Sequence, residues 1–93
     1  MRFAFVGHDR HDAGDLRAHL RPEHAGYHRD RSNPVGGPLL DEHGEPCGTL
    51  IVLEAVDLDE ARRVVAGDPF VVGGLFATSS LHELRAVDWP VAG

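Results

Sequence analysis

The sequence has 93 residues, 42% of them hydrophobic and 26% charged, and its nine Arg, with no Lys, stand against fifteen acidic residues for a net charge of −6. This length fits one domain, 1–93, around one core, and the composition lies in the globular range. The balance excludes several classes: no basic stripe could engage a phosphate backbone, so nucleic acid is not an expected partner, and no apolar run approaches the ~20 residues of a membrane span.

Met1 to Gly7 turns polar too early for a signal peptide, since His8, Asp9 and Arg10 follow directly. The lone Cys47 excludes an internal disulfide and a multi-cysteine zinc site, and it fits a cytoplasmic, reducing address.

Along the chain, Arg2 to Val6 alternate aromatic and aliphatic residues up to Gly7, the pattern of a buried first strand. His8 to Gly14 are polar and without period, a loop. Leu16, Leu20 and Tyr27 recur at helical spacing, but Pro22 interrupts them. Proline belongs in the first turn of a helix, so one turn is expected before Arg21 and a short helix from Pro22 to Arg31, ended by Asn33-Pro34. Val35 to Leu40 predict a second strand, Asp41 to Pro46 a turn, and Gly48 to Ala55 a third strand rich in β-branched and aliphatic residues.

Asp57 followed by Glu60 resembles a capping box and opens a helix through Ala61, Val64 and Val65 to Gly67. Asp68-Pro69 supplies a second N-cap with a first-turn proline, which predicts a further helical turn over Phe70 to Val72. A last strand is expected within Leu75 to Val87. The order β-α-β-β-α-β predicts an α+β, ferredoxin-like antiparallel sheet with two helices on one face. Phe3 and Phe5 then face one side of the sheet while Ala4 and Val6 face the other, and Ile51/Leu53 and Leu50/Val52 divide likewise. Two helices cover one face only. The second apolar face predicts a homodimer with sheets packed face to face.

Arg21-Pro22-x-His24, Gly36-Gly37-Pro38, Glu54, Leu58-Asp59-Glu60-Ala61 and Asp68-Pro69-Phe70-x-x-x-Gly74-Leu75-Phe76 occur in this order and together resemble the YciI-like (YCII-related) family. The resemblance spans nearly the whole chain. It implies a ferredoxin-like fold assembled as a dimeric α+β barrel, and an enzyme with a His and Asp pair in a cleft, some relatives acting on chlorinated or hydroxylated aromatic rings. Where relatives carry an aliphatic helix after the motif histidine, this chain has the polar segment Gly26 to Asn33.

His24 is the first catalytic candidate, because imidazole exchanges protons near neutral pH and a helix beginning at Pro22 would favour its neutral, basic form. Asp68 is its expected partner, orienting the ring and stabilising the protonated state. The pair would serve proton abstraction, elimination or isomerisation on a small cyclic ligand. A plain N-cap explains Asp68 equally well, and an exposed helix histidine explains His24. Arg21 would bind a carboxylate or oxyanion, or simply face solvent. Gly37 and Pro38 would let the backbone approach a ligand, or mark a strand-end turn.

Cys47 has no neighbouring base and reads as a strand-edge residue. His24 and His28 lie four apart, and His8 and His11 are near in sequence, but no metal-ligand motif is present and no metal is expected. No phosphate-binding loop, dinucleotide fingerprint or serine elbow occurs, so no cofactor is expected. Two functions stay open: a cofactor-independent acid/base enzyme, and a non-catalytic ligand-binding or interaction module of the same fold.

Overall fold

A computed structural model describes residues 1–89. The elements are β1 (Arg2–Asp9), α1 (Leu16–Asp30), β2 (Val35–Leu40), β3 (Pro46–Glu54), α2 (Leu58–Ala66), α3 (Pro69–Val72) and β4 (Phe76–Leu84). The four strands form one antiparallel sheet in the order β2-β3-β1-β4. This is the ferredoxin-like arrangement expected from the sequence. No described helix is long and apolar enough to cross a membrane.

Register fixes which side chains meet the helices. Phe3 pairs with Leu53 and Phe5 with Ile51, and all four are buried in one core with Ala55, Ala61 and Val64. Alternation sends Ala4, Val6, Leu50 and Val52 to the opposite face, where they are half-buried. The division of the two sheet faces is therefore as the sequence implied.

Helix α2 begins where expected, with the Asp57 side chain accepting from the Glu60 backbone N–H at 2.8 Å. In α3, Asp68 accepts from the Phe70 N–H at 2.9 Å and Pro69 occupies the first turn.

Two expectations are corrected. β1 does not end at Gly7 but continues to Asp9, because it lies between two partners: His8 pairs with Gly48 on one side and Thr78 on the other. Gly7 serves a contact instead of a stop, since a Cβ there would lie 2.7 Å from the Phe76 ring. The first helix is also neither short nor started at Pro22. α1 runs unbroken through Leu16–Asp30 with Pro22 inside it. Loss of one backbone donor at Pro22 is outweighed by the tertiary contacts that the following turns make.

Candidate active site

A cavity of about 500 Å³ lies between α1 and strands β2 and β3, with Phe70 also in its lining. α1 lines it with Arg17, Arg21, His24 and His28, spaced four, three and four residues apart and hence on one helix face. β2 and β3 contribute Gly36 and Pro38 beside their cross-strand partners Ile51 and Thr49.

His24 and Asp68, separated by forty-four positions, meet at 2.7 Å between Nδ1 and Oδ1. Their side chains are 11% and 2% exposed. The His24 ring stacks on Phe70, centroids 3.7 Å apart and planes 12° from parallel, which fixes its plane. With Nδ1 directed at the carboxylate, the neutral ring leaves Nε2 as acceptor. His24 lines the cavity, Nε2 has no protein partner, and no buried side-chain polar atom among the described residues lacks one, so solvent reaches Nε2 from the cavity.

Asp68 receives more than this one bond. His28 Nε2 lies 2.7 Å from Oδ2, and Asn33 Nδ2 lies 2.7 Å from His28 Nδ1. Burial alone would raise the Asp68 carboxyl, but hydrogen bonds from His24, His28 and the Phe70 N–H outweigh it and hold the group down at about 2. Asp68 is thus an anion at neutral pH, able to stabilise a proton that arrives on His24.

Arg17 was not singled out from the sequence. Its Nε and Nη2 donate to Asp9 Oδ2 and Oδ1, both at 2.7 Å, and Nη2 also reaches Thr49 Oγ1 at 2.9 Å. Its guanidinium carbon lies 4.9 Å from the Phe70 ring centroid, over the ring face, so the ring and the Asp9 carboxylate hold it together. Nη1 is left without a protein partner among the described residues.

Of the other expected residues, Arg21 is exposed, lines the cavity and makes no ion pair among the described residues. Gly37 and Pro38 also line it, but within β2 and not at a strand-end turn. Close packing falls on Gly36, where a Cβ would lie 2.8 Å from Ile51 Cδ1, while nothing lies within 4 Å of one at Gly37. Pro38 is tolerated because β2 is an edge strand.

His24 lies in the middle of α1 and not in a first turn, so a helix-start dipole does not act on it as expected. His8, His11 and Cys47 line a separate shallow basin. Among the described residues one group of potential metal ligands comes together: His24, His28 and Asp68, with ligand atoms within 4.8 Å of one another.

The polar segment Gly26 to Asn33, which departs from the aliphatic helix of the relatives, contributes to the site. Tyr27 donates to the Val64 carbonyl at 2.6 Å, tying α1 to α2, while His28 and Asn33 support Asp68. A continuous reading of the 17-21-24-28 spacing puts Arg17 on the same helix face as His24 and His28, and the break expected at Pro22 concealed it.

Among solved structures, the chain is similar to the 5-chloro-2-hydroxyhydroquinone dehydrochlorinase TftG of Burkholderia phenoliruptrix in complex with 2,5-dihydroxybenzoquinone, at 27% identity and a TM-score of 0.82 over 91% of this chain and 94% of that one. An antibiotic biosynthesis monooxygenase shares the fold at 14% identity and a TM-score of 0.59, covering 94% of this chain and 98% of that one. So does a protein from Agrobacterium tumefaciens at 10% identity and a TM-score of 0.54, covering 94% of each chain. No curated protein matches significantly. The model of the YCII-related domain matches residues 1–85, and with that match over nearly all of the described fold, the chain belongs to the YCII-related family.

Proposed function

We propose that this chain is a small, cofactor-independent enzyme in which His24 is the general base and acid and Asp68 its orienting partner, acting on a hydroxylated ring by elimination or isomerisation. One observation carries the reading: His24 Nδ1 is bound to a buried carboxylate at 2.7 Å while Nε2 opens on the cavity. Nε2 takes a proton from a ring hydroxyl or an adjacent carbon, and the Asp68 anion stabilises the imidazolium formed. In an elimination the electron pair released by that proton expels a leaving group such as chloride from the ring. The net change is loss of one proton and one halide, so the step is redox-neutral. In an isomerisation the proton returns to another ring carbon.

Negative charge developing on a ring oxygen needs a donor, and Arg17, which lines the cavity and leaves Nη1 unpartnered among the described residues, would supply it. Arg21 would hold a second oxyanion or carboxylate at the mouth, with Gly37 and Pro38 forming the opposite wall. The similarity to a dehydrochlorinase of a chlorinated hydroquinone supports this substrate class.

A homodimer is part of the proposal. The half-buried Ala4, Val6, Leu50 and Val52, with Val35 58% exposed beside them, make an apolar sheet face that a second copy would cover. The lone, unpaired Cys47 supports a cytoplasmic address.

Chelator-treated protein should be assayed against chlorinated and unchlorinated hydroquinones, catechols and lactones, following chloride release and ring absorbance. Turnover abolished by His24→Ala supports the enzyme. Saturable binding of a ring compound without turnover, unchanged in that variant, would favour a ligand-binding module.

A further inference from the structure

Base chemistry at His24 uses one imidazole and one carboxylate oxygen. His28 is surplus to it, because its Nε2 is held by Asp68 Oδ2 and its Nδ1 by Asn33, both at 2.7 Å, and no ring nitrogen remains to meet a substrate. The cluster is nevertheless firmly built. His24 and His28 stand one helical turn apart on α1, their rings 4.7 Å apart, and Asp68 is pinned at the start of α3 by the Phe70 N–H. The carboxylate is 2% exposed, and its hydrogen-bond partners are the two imidazoles and that one amide, with no arginine among them.

We propose that His24 Nδ1, His28 Nε2 and a carboxylate oxygen of Asp68 form a capture site for a divalent transition ion of the zinc class. Two imidazoles and one carboxylate without a thiolate suit zinc and its neighbours over magnesium or calcium. The three ligand atoms already lie within 4.8 Å of one another. Tetrahedral zinc holds nitrogen and oxygen at about 2.0–2.2 Å, hence ligand atoms about 3.3 Å apart. Side-chain rotations that open each 2.7 Å hydrogen bond by about half an ångström and draw ligand atoms as far as 4.8 Å apart to about the same spacing would admit the ion.

The protons balance by tautomerisation. Each neutral ring gives its ligating nitrogen's proton to the other nitrogen, so none is released overall. On His28 the proton moves to Nδ1, and Asn33 must turn its amide to accept it through Oδ1. On His24 it moves to Nε2, which changes the cavity-facing nitrogen from acceptor to donor. A bound ion therefore silences the base, and metal capture and proton abstraction exclude one another at this cluster.

Zn2+ titrated into chelator-treated protein by calorimetry, with Co2+ absorption bands reporting imidazole ligation, tests the site. One ion per chain is expected. His28→Gln and Asp68→Asn should each weaken binding at least ~10-fold, Asn33→Leu should weaken it ~10- to 100-fold, and Asn33→Asp should tighten it, since a carboxylate is the better outer partner for a ligating histidine. Exposed His43→Ala should change nothing. Gln keeps a donor towards Asp68, and circular dichroism of each variant confirms that it is folded.

Zn2+ binding to the wild-type protein no tighter than to His28→Gln overturns the proposal. The two readings fail separately: turnover without zinc binding removes the metal site and leaves the base, whereas tight zinc binding with turnover indifferent to His24→Ala removes the base and leaves the metal site.

Discussion

Asp68 Oδ1 accepts from His24 Nδ1 at 2.7 Å and from the Phe70 N–H at 2.9 Å, so the buried His–Asp contact and the N-cap of α3 converge on one atom. The N-cap expected at Asp68 and its contact with His24 are therefore compatible and not exclusive. The cap keeps the carboxylate in place, and Phe70, the next residue but one, is the plate on which His24 stacks. Folding α3 and orienting the imidazole are one structural event.

This convergence separates stability from activity. Asn is as good an N-cap as Asp, so Asp68→Asn should leave α3 formed while turnover falls ~10²- to 10⁴-fold, the usual scale for losing a general acid/base. Nitrogen-15 NMR should show His24 passing from the Nδ1–H tautomer towards Nε2–H. Asp68→Ala should add about 1 kcal/mol of instability from the lost cap. Equal turnover in wild type and Asp68→Asn would count against the acid/base reading.

The carboxyl of Asp68 sits at about 2 in the folded protein against an ordinary 3.8. Because the folded state holds that proton less tightly, the contribution is complete above pH 3.8 and is lost as pH falls through about 2. It amounts to about 2 to 3 kcal/mol. Urea unfolding of wild type and Asp68→Asn should therefore show a gap at neutral pH that narrows at pH about 2. A gap independent of pH would mean that the carboxylate gains nothing from its three donors.

Neighbouring residues of β3 should respond oppositely to the same charge. Ile51 is 3% exposed in the core, and Ile51→Asp should unfold the chain, because an unpaired buried charge costs several kcal/mol. Val52 faces away from the helices, so Val52→Asp should leave a folded subunit and shift sedimentation from dimer to monomer. A dimer that survives Val52→Asp would rule out packing through the open sheet face.

Pro22 interrupts the backbone hydrogen bonding of α1. Pro22→Ala restores a donor, offset in part by a more flexible unfolded chain, and should raise stability by about 1 to 2 kcal/mol. Thermal denaturation checks it; a lowered melting temperature would mean that the proline shapes α1 in a way that the cavity needs.

Gly48 lies where β3 meets β1, and a Cβ there would fall 2.6 Å from the Gly7 carbonyl oxygen. Backbone cannot step aside as a side chain can. Gly48→Ala should cost about 1 to 3 kcal/mol by chemical denaturation, and an unchanged midpoint would show that the two strands can separate locally.

Local signals determined much of this protein. Alternation in Phe3–Val6 and Leu50–Leu53 set the two sheet faces, and the Asp57 and Asp68 caps set the starts of α2 and α3. These features are legible because a strand's two-residue period and an N-cap are decided within a few residues of chain. The order of motifs also pointed to His24 and Asp68.

Tertiary structure decided the rest. Pro22 argues locally for a break, and only the contacts of Tyr27 with Val64 and of His24 and His28 with Asp68 explain why α1 continues through it. The same contacts turn the polar segment after His24 from an apparent loss of core into support for the site. Arg17 reads as a surface charge until β1 brings Asp9 beside it and Phe70 packs beneath its guanidinium. Whether a polar residue is solvated or structural depends on partners thirty or forty positions away, such as Thr49 for Arg17 and Asp68 for His28, and no local pattern carries that information.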